Sequence, residues 1–115
     1  MYDNKISSID ILEIVNFKEL KQLNISSNNI ENIEALEKVK FEKLEILNLS
    51  YNKISNIDAL ENSNFKELKE LYLSSNNIEN IEVLEKVKFE KLEILNLSYN
   101  KISNIDVLEN VNFKE

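Results

Sequence analysis

The sequence contains no cysteine, histidine, arginine, glycine, proline or tryptophan. Without cysteine the chain forms no disulfide and offers no thiolate to a metal, and without histidine it has no imidazole base or ligand. The lack of cysteine fits a reducing compartment such as the cytoplasm, without deciding it. Without glycine, turns that need a positive φ have to use other residues, of which asparagine is the best suited. We therefore expect the doublets Asn28-Asn29 and Asn76-Asn77 to form such turns.

Long apolar runs and excess basic charge are missing as well. No apolar run approaches the length of a membrane-spanning helix, and no charged-then-apolar leader is present, so the sequence predicts neither a membrane span nor an export signal. The 21 acidic residues outnumber the 14 basic ones and give a net charge of −7. That balance works against contact with phosphate backbones and anionic lipid. We expect no nucleic-acid partner and no membrane partner.

The usual parts of an active site are absent too. No glycine-rich loop is present to cradle a phosphate, and no histidine is present to activate a nucleophile. Serines are plentiful, but one row of them, Ser26, Ser50, Ser74 and Ser98, recurs at a fixed interval, as positions of a scaffold do. A unique catalytic centre is not expected from a repeated position. The sequence predicts no enzymatic activity and no cofactor.

What the chain does have is a regular repeat, marked at every twenty-fourth position by Phe17, Phe41, Phe65, Phe89 and Phe113. We divide the single domain, 1–115, into a partial unit 1–16, four full units 17–40, 41–64, 65–88 and 89–112, and a partial unit 113–115. Two unit types alternate, so the segment 17–64 recurs as 65–112. The two copies differ at Gln22/Glu70, Asn24/Tyr72, Ile25/Leu73, Ala35/Val83, Ala59/Val107 and Ser63/Val111.

Each unit follows the pattern LxxLxLxxNxIxxIxxL, as in the run Leu44, Leu47, Leu49, Asn52, Ile54, Ile57 and Leu60. Four successive matches of this pattern resemble the leucine-rich repeat family, in particular the short class of phosphatase-regulatory subunits and internalins. In this chain the repeating unit is lengthened to twenty-four residues, as in 41–64. The resemblance implies an α/β solenoid with a parallel β-sheet on its concave face and short α or 3-10 turns on its convex face. It also implies a protein partner. The chain departs from the family pattern in lacking proline, glycine, cysteine and a recognisable cap at either end.

The local chemistry gives the same architecture. Alternation of Leu47 and Leu49 predicts a short strand with one buried face, and the spacing of the later apolar residues shifts towards a helix. Asn32, Asn56, Asn80 and Asn104 are placed to cap that short helical segment. Acidic residues follow in its first turn, where the helix dipole favours them. Within the segment we expect i,i+4 ion pairs such as Glu34 with Lys38 and Glu82 with Lys86.

One asparagine per unit takes the position of the family's inward asparagine ladder: Asn28, Asn52, Asn76 and Asn100, with Asn4 as a partial fifth. A buried amide needs partners, and the backbone of the neighbouring turn supplies them when units stack in register. We predict a structural role for the ladder and no ligand.

Charged residues test the stacking independently. Equivalent side chains of stacked units lie about 4.8 Å apart along a parallel sheet. Three columns alternate in sign from one unit to the next: Lys21, Glu45, Lys69, Glu93; Lys18, Glu42, Lys66, Glu90, Lys114; and Glu19, Lys43, Glu67, Lys91, Glu115. Electrostatics along these columns explains why two unit types alternate, although duplication alone would also produce the alternation.

Two purely acidic columns also recur: Asp10, Glu34, Asp58, Glu82, Asp106 and Glu13, Glu37, Glu61, Glu85, Glu109. Carboxylates spaced by three share one side of a helical turn and could attract Ca²⁺ or a basic partner. We prefer the simpler interpretation that they complement the helix dipole. The sequence therefore predicts no metal site.

The outward positions of the strands form the predicted recognition surface. They make the rows Gln22, Ile46, Glu70, Ile94; Asn24, Asn48, Tyr72, Asn96; Ser26, Ser50, Ser74, Ser98; and Ser27, Tyr51, Ser75, Tyr99. Exposed isoleucines and tyrosines form the mixed apolar and aromatic composition that is enriched where proteins meet. The residues we expect to contact a protein partner are Ile46, Tyr51, Glu70, Tyr72, Ile94, Asn96 and Tyr99.

Neither end of the chain carries a polar capping unit. Repeat arrays need such caps because an open end exposes an apolar flank and a strand edge. We expect either a piece of a longer repeat protein or a designed or excised array that associates head-to-tail through its uncapped ends and has no natural ligand of its own. Such contacts are heterologous and build rings or filaments.

Overall fold

Four short strands form one parallel sheet. The computed structural model describes residues 5–13, 17–39, 41–63, 65–87 and 89–102. The strands are β1 (Gln22–Asn24), β2 (Ile46–Asn48), β3 (Glu70–Tyr72) and β4 (Ile94–Asn96), in the order β1-β2-β3-β4. Each strand covers the third to fifth positions of an L-x-x-L-x-L or L-x-x-L-x-I segment, so its middle leucine points inward and its neighbours point outward.

The register of the sheet follows the repeat, because each residue pairs with its equivalent in the next unit. Leu23 pairs with Leu47, Leu47 with Leu71, and Leu71 with Leu95. Backbone hydrogen bonds continue this register beyond the strands, for example from the Ser27 N–H to the Ser50 carbonyl at 3.0 Å. The stacking predicted from the repeat is confirmed, and equivalent side chains form columns across the sheet.

Short 3-10 helices return the chain from each strand to the next. They span Asp10–Glu13, Glu34–Glu37, Asp58–Asn62 and Glu82–Glu85. The N-cap positions of the last three helices are Ile33, Ile57 and Ile81, one residue after the predicted caps. The predicted asparagines still hold the helix starts: the side-chain oxygens of Asn32, Asn56 and Asn80 accept hydrogen bonds from backbone N–H groups two positions later at 2.7, 2.8 and 2.9 Å. Asn104 lies outside the described residues.

The predicted i,i+4 ion pairs are not formed in the described residues. Each helical segment is a single short turn with 3-10 geometry, which brings i and i+3 together instead of i and i+4. Lys38 therefore turns away from Glu34 and approaches Glu13 of the preceding unit, with its Nζ 3.8 Å from Oε1.

A single core runs through the stacked units. The inward leucines and isoleucines, such as Leu47, Leu49 and Ile54, are fully buried. Three of the phenylalanines that mark the units, Phe41, Phe65 and Phe89, are buried as well, whereas Phe17 is 51% exposed and stacks on Phe41 with the ring centres 6.4 Å apart. Phe113 lies outside the described residues.

The turn after each strand uses serine or tyrosine at positive φ. The residues are Ser27, Tyr51, Ser75 and Tyr99, with φ between 55° and 57°. Our expectation that the asparagine doublets would take this conformation is wrong. The left-handed residue directly precedes the ladder asparagine, whose amide is turned back onto the carbonyls of the strand end. The asparagine is therefore needed for its side chain, and its neighbour adopts the less favourable backbone conformation.

Candidate functional site: the concave strand face

The asparagine ladder supports the surface from beneath. Asn52 is 7% exposed, and its Nδ2 donates to the carbonyls of Leu49 at 3.0 Å, Ser50 at 3.2 Å and Ile25 of the preceding unit at 3.1 Å. Its Oδ1 accepts a hydrogen bond from the backbone N–H of Ile30, also in the preceding unit, at 3.1 Å. Each amide thus ties its own turn to the neighbouring one.

The other ladder positions repeat this pattern. Asn76 and Asn100 make the same four contacts, and Asn28 accepts a hydrogen bond from the Ile6 N–H at 3.1 Å. Asn28, Asn52 and Asn76 are buried, and Asn100 is half-buried. These contacts fit the structural role predicted for the ladder. Asn4 lies outside the described residues.

We use "concave strand face" for the outward side chains of β1 to β4 and of the turn residues that follow them. Tyr99 is 84% exposed, Tyr51 61% and Ile94 42%. Ile46, Glu70, Tyr72 and Asn96 are half-buried. The in-register sheet places Glu70 between Ile46 and Ile94, and Tyr72 between Asn48 and Asn96, while Tyr51 and Tyr99 occupy the turns that follow β2 and β4.

Polar side chains of this face also hold the turns. The Oδ1 atoms of Asn24, Asn48 and Asn96 each accept a hydrogen bond at 3.0 Å from the backbone N–H two positions later. The predicted contact residue Asn96 thus has a local structural contact as well. Ser26 and Ser50, which we placed among the outward positions, are buried, because the chain bends inward at the turn.

Tyr72 changes this arrangement in β3. It replaces the asparagine of the other strands, and its hydroxyl donates to Glu70 Oε1 at 2.5 Å. The hydrogen bond to Glu70, followed by burial and the charge of Glu70, raises the pKa of the Tyr72 hydroxyl. The Ser74 hydroxyl, which has no asparagine beside it, donates to Ser50 Oγ at 3.0 Å instead.

Ion pairs line the approach to the sheet. Lys43 Nζ lies 2.9 Å from Glu19 Oε2, Lys91 Nζ 2.6 Å from Glu67 Oε2, and Lys69 Nζ 3.2 Å from Glu45 Oε1. Each pair joins equivalent positions of neighbouring units, in two of the three predicted columns. In the described part of the third column, Lys18, Glu42, Lys66 and Glu90, no ion pair forms.

These pairs predict a loss of stability in acid. Hydrogen bonds from Lys43 and Lys91 lower the pKa of Glu19 and Glu67 below the ordinary value of 4.5. A carboxyl group with a lowered pKa stabilises the fold above its unfolded-state pKa, and this contribution is lost as the pH falls through its folded-state value. We therefore expect Glu19→Gln/Glu67→Gln to flatten the fall of the urea midpoint below about pH 4.5.

The matched control is Glu31→Gln/Glu79→Gln, which removes two exposed carboxylates that form no ion pair in the described structure. This variant should keep the acid dependence of the native chain. An equal acid dependence in all three proteins would show that the columns do not contribute. The lysines of these pairs depend on pH in the opposite direction. Glutamate partners raise the pKa of Lys43 and Lys69 above 10.5, so the stability that these lysines contribute is lost only as the pH rises above that value.

Other features of the described residues lie away from this face. A surface cavity of about 650 Å³ is bordered by Leu60, Phe65, Lys86 and Phe89 on the return side of the units, and no residue of the concave strand face lines it. The described acidic side chains form no group of three or more that could hold a metal ion. In the same part of the chain no helix has the length and apolar character needed to cross a membrane.

Comparison with protein families decides the identity of the repeat. The family model for leucine-rich repeats in two copies matches residues 18–62, 42–86 and 66–110. The chain belongs to the leucine-rich repeat family. Its match extends over all four full units, as the resemblance of the L-x-x-L-x-L segments predicted. A comparison with curated proteins finds no significant match.

Solved leucine-rich repeat structures share the fold. Internalin C2 of Listeria monocytogenes matches 95% of this chain with a TM-score of 0.76 at 24% identity, and a leucine-rich repeat protein of Leptospira interrogans matches 100% with a TM-score of 0.75 at 23% identity. A plant peptide hormone receptor in complex with RGF2 matches 91% with a TM-score of 0.56 at 20% identity. The chain spans 45%, 30% and 20% of these proteins. These similarities establish a leucine-rich repeat solenoid.

Leucine-rich repeat proteins generally act as scaffolds for protein interactions and are typically not enzymes. The geometry of the strand face agrees with this general role, because it offers exposed aromatic and aliphatic side chains on a rigid sheet. The two unit types of this leucine-rich repeat chain place tyrosine and serine alternately at the turn position, so the tyrosines lie on every second unit.

Proposed function

We propose that this chain is a non-enzymatic protein-binding module that contacts its partner through the concave strand face. One observation carries the proposal. Four large apolar side chains are exposed in the described structure, and three of them, Tyr51, Ile94 and Tyr99, belong to this face. Large aromatic side chains on a rigid support are enriched at interfaces because they bury much area for little lost entropy.

The size of the face favours recognition through a few anchors. The outer strands are three spacings apart, about 15 Å, whereas a standard interface buries about 800 Å² on each partner. A peptide or a protruding segment of a protein fits such a surface better than a broad flat protein does. The structurally similar plant receptor in complex with RGF2 is consistent with this mode of recognition.

The test starts from a displayed library of random decapeptides, selected against the chain. We expect Tyr51→Ser/Tyr72→Ser/Tyr99→Ser to lower the affinity of the selected peptides at least tenfold, because the aromatic anchors are lost. Binding is measured by fluorescence anisotropy. The fold should persist, since serine already occupies the turn position equivalent to Tyr51 and Tyr99 in the units of Ser27 and Ser75.

The matched control removes three exposed charged residues from the opposite side, Glu37→Ser/Glu61→Ser/Lys86→Ser. This variant should bind the selected peptides as the native chain does. Equal affinity of the native chain and the tyrosine variant, with circular dichroism showing both to be folded, would contradict the proposed surface.

The charge columns favour a second candidate function, head-to-tail self-association. If β1 of a second copy continued the sheet beyond β4, its Lys21 would follow Glu93 and its Glu19 would follow Lys91, so the alternation of charge would be kept. However, residues 5–13 already pack on the first full unit, through the Ser8–Asn32 bridge and the Ile6–Asn28 hydrogen bond. A second copy would therefore bring its own residues 5–13 into the contact together with its first full unit.

Sedimentation over a range of protein concentrations separates the two functions. Growth of the mass with concentration, abolished by Lys21→Glu, would support self-association through the charge columns. A constant monomer mass would exclude it and leave the protein-binding function.

A further inference from the structure

Glu70 and Tyr72 stand out because they interrupt an otherwise regular face. Two of the six differences between the segments 17–64 and 65–112, Gln22/Glu70 and Asn24/Tyr72, fall on outward positions of equivalent strands. The other outward residues of β1 to β4 are neutral: Gln22, Asn24, Ile46, Asn48, Ile94 and Asn96. The strands therefore present a single charge to a partner, and it is negative.

The surroundings of this carboxylate are apolar on both sides. Ile46 and Ile94 pair in register with Glu70, so each lies about 4.8 Å away along the sheet. The nearest lysine in the sequence, Lys69, has its ammonium 3.2 Å from Glu45 and is thereby engaged elsewhere. A cationic side chain of a partner that approached Glu70 would meet a charge flanked by methyl groups, where water is partly displaced and electrostatic attraction is stronger than in bulk solvent.

Tyr72 fixes the position of the carboxylate. Its hydroxyl donates to Glu70 Oε1 at 2.5 Å, which leaves Oε2 for donors of a partner. The hydrogen bond to Glu70 raises the pKa of the Tyr72 hydroxyl above its ordinary value of 10.0, so the phenol keeps the proton that it donates. The ring adds a π surface beside the carboxylate, on which a planar cation can stack.

On these grounds we propose that Glu70, Tyr72, Ile46 and Ile94 form a subsite for an arginine side chain of the protein partner. The guanidinium would donate to Glu70 and stack on the Tyr72 ring, while its methylene stem would pack on the two isoleucines. The choice of arginine over lysine follows from the planar guanidinium, which can donate to a carboxylate and lie flat on a ring together. This inference rests on the proposed function, since it names the chemistry that the concave strand face would recognise.

The direct test is a titration with N-acetyl-arginine amide followed by NMR. We expect saturable chemical-shift changes at Glu70 and Tyr72, with N-acetyl-citrulline amide, the neutral analogue, binding about tenfold more weakly because a charge-assisted hydrogen bond is lost. Glu70→Gln and Tyr72→Asn should reduce arginine binding. Both variants introduce the residues that β1 has at the equivalent positions, Gln22 and Asn24, so we expect both variants to fold.

A gain-of-function variant provides the matched control. Gln22→Glu/Asn24→Tyr places the same carboxylate and phenol in the edge strand β1, where an isoleucine, Ile46, lies on one side only, and should add a second, weaker set of arginine-dependent shifts there. Equal binding of the citrulline analogue, undiminished binding to Glu70→Gln, or preference for N-acetyl-lysine amide would overturn the arginine subsite. The peptide selection separates the two proposals: peptides that depend on Tyr51 and Tyr99 but carry no arginine would support the protein-binding function and contradict this inference.

Discussion

Replacing Asn76 by alanine is expected to lower the free energy of unfolding by about 3 kcal/mol. Asn76 is 6% exposed and makes four hydrogen bonds to backbone groups of two units. The three carbonyls that accept from its amide each keep a second donor; for example, the Leu73 carbonyl also accepts from Asn100 at 2.9 Å. The decisive loss is that of the amide oxygen, because the backbone N–H of Ile54 donates to Asn76 Oδ1 at 3.0 Å.

The Ile54 N–H would be left buried without a partner. Such a group costs about 1–3 kcal/mol, and the lost amide contacts add about 1 kcal/mol. The adjacent residue gives a matched control: Asn77 is exposed, and Asn77→Ala should change the free energy of unfolding by less than about 0.5 kcal/mol. Urea denaturation monitored by circular dichroism measures both. Equal effects of Asn76→Ala and Asn77→Ala would show that the asparagine ladder does not hold the turns.

The second large effect is expected from Phe41→Ala, with a loss of about 3–5 kcal/mol. The Phe41 ring is fully buried in the core, so its removal leaves a cavity that the stacked units on either side cannot fill without distorting the sheet register. Because the free energy of unfolding of small domains is about 5–15 kcal/mol, this single change would remove a large part of the stability.

Phe17→Ala is the control for Phe41→Ala. Phe17 occupies the equivalent place in the first full unit and stacks on Phe41, but it is 51% exposed. Its removal should cost about 1 kcal/mol, since only one side of the ring is covered. The midpoints and slopes of urea denaturation distinguish the two variants. A loss from Phe17→Ala as large as that from Phe41→Ala would mean that the phenylalanines do not contribute through burial in a shared core.

Most of the fold follows from the period of the sequence. Because each unit repeats Leu47-x-Leu49 and the ladder asparagine at a fixed interval, the parallel register and the inward columns are set as soon as two units stack. The hydrogen bonds of Asn32, Asn56 and Asn80 to the helix starts were equally predictable, since each side chain acts on a backbone N–H only two positions away.

Features that depend on tertiary geometry were not predictable in the same way. The position of the positive φ was assigned to Asn28 by intrinsic preference, but the ladder uses the asparagine side chain, and Ser27 adopts the strained conformation instead. The pairing of Lys38 with Glu13 arises because a one-turn 3-10 segment does not bring i and i+4 together. Burial of Ser26 and Ser50 depends on where the chain turns inward after the strand.

The candidate site combines features that follow from the repeat with features that depend on tertiary geometry. Its composition could be read from the sequence, because outward strand positions alternate with inward leucines. The hydrogen bond between Tyr72 and Glu70, by contrast, appears only with side-chain positions. The signal in the sequence is the coincidence of the Gln22/Glu70 and Asn24/Tyr72 differences on one face.

Stacking of successive units in register is the central claim, and nuclear Overhauser spectroscopy on isotopically labelled protein tests it most directly. The fold predicts contacts between backbone protons of equivalent residues in neighbouring units, such as Leu23 with Leu47 and Leu47 with Leu71. Contacts of antiparallel hairpins, or continuous i,i+3 contacts of long helices across residues 17–100, would contradict it.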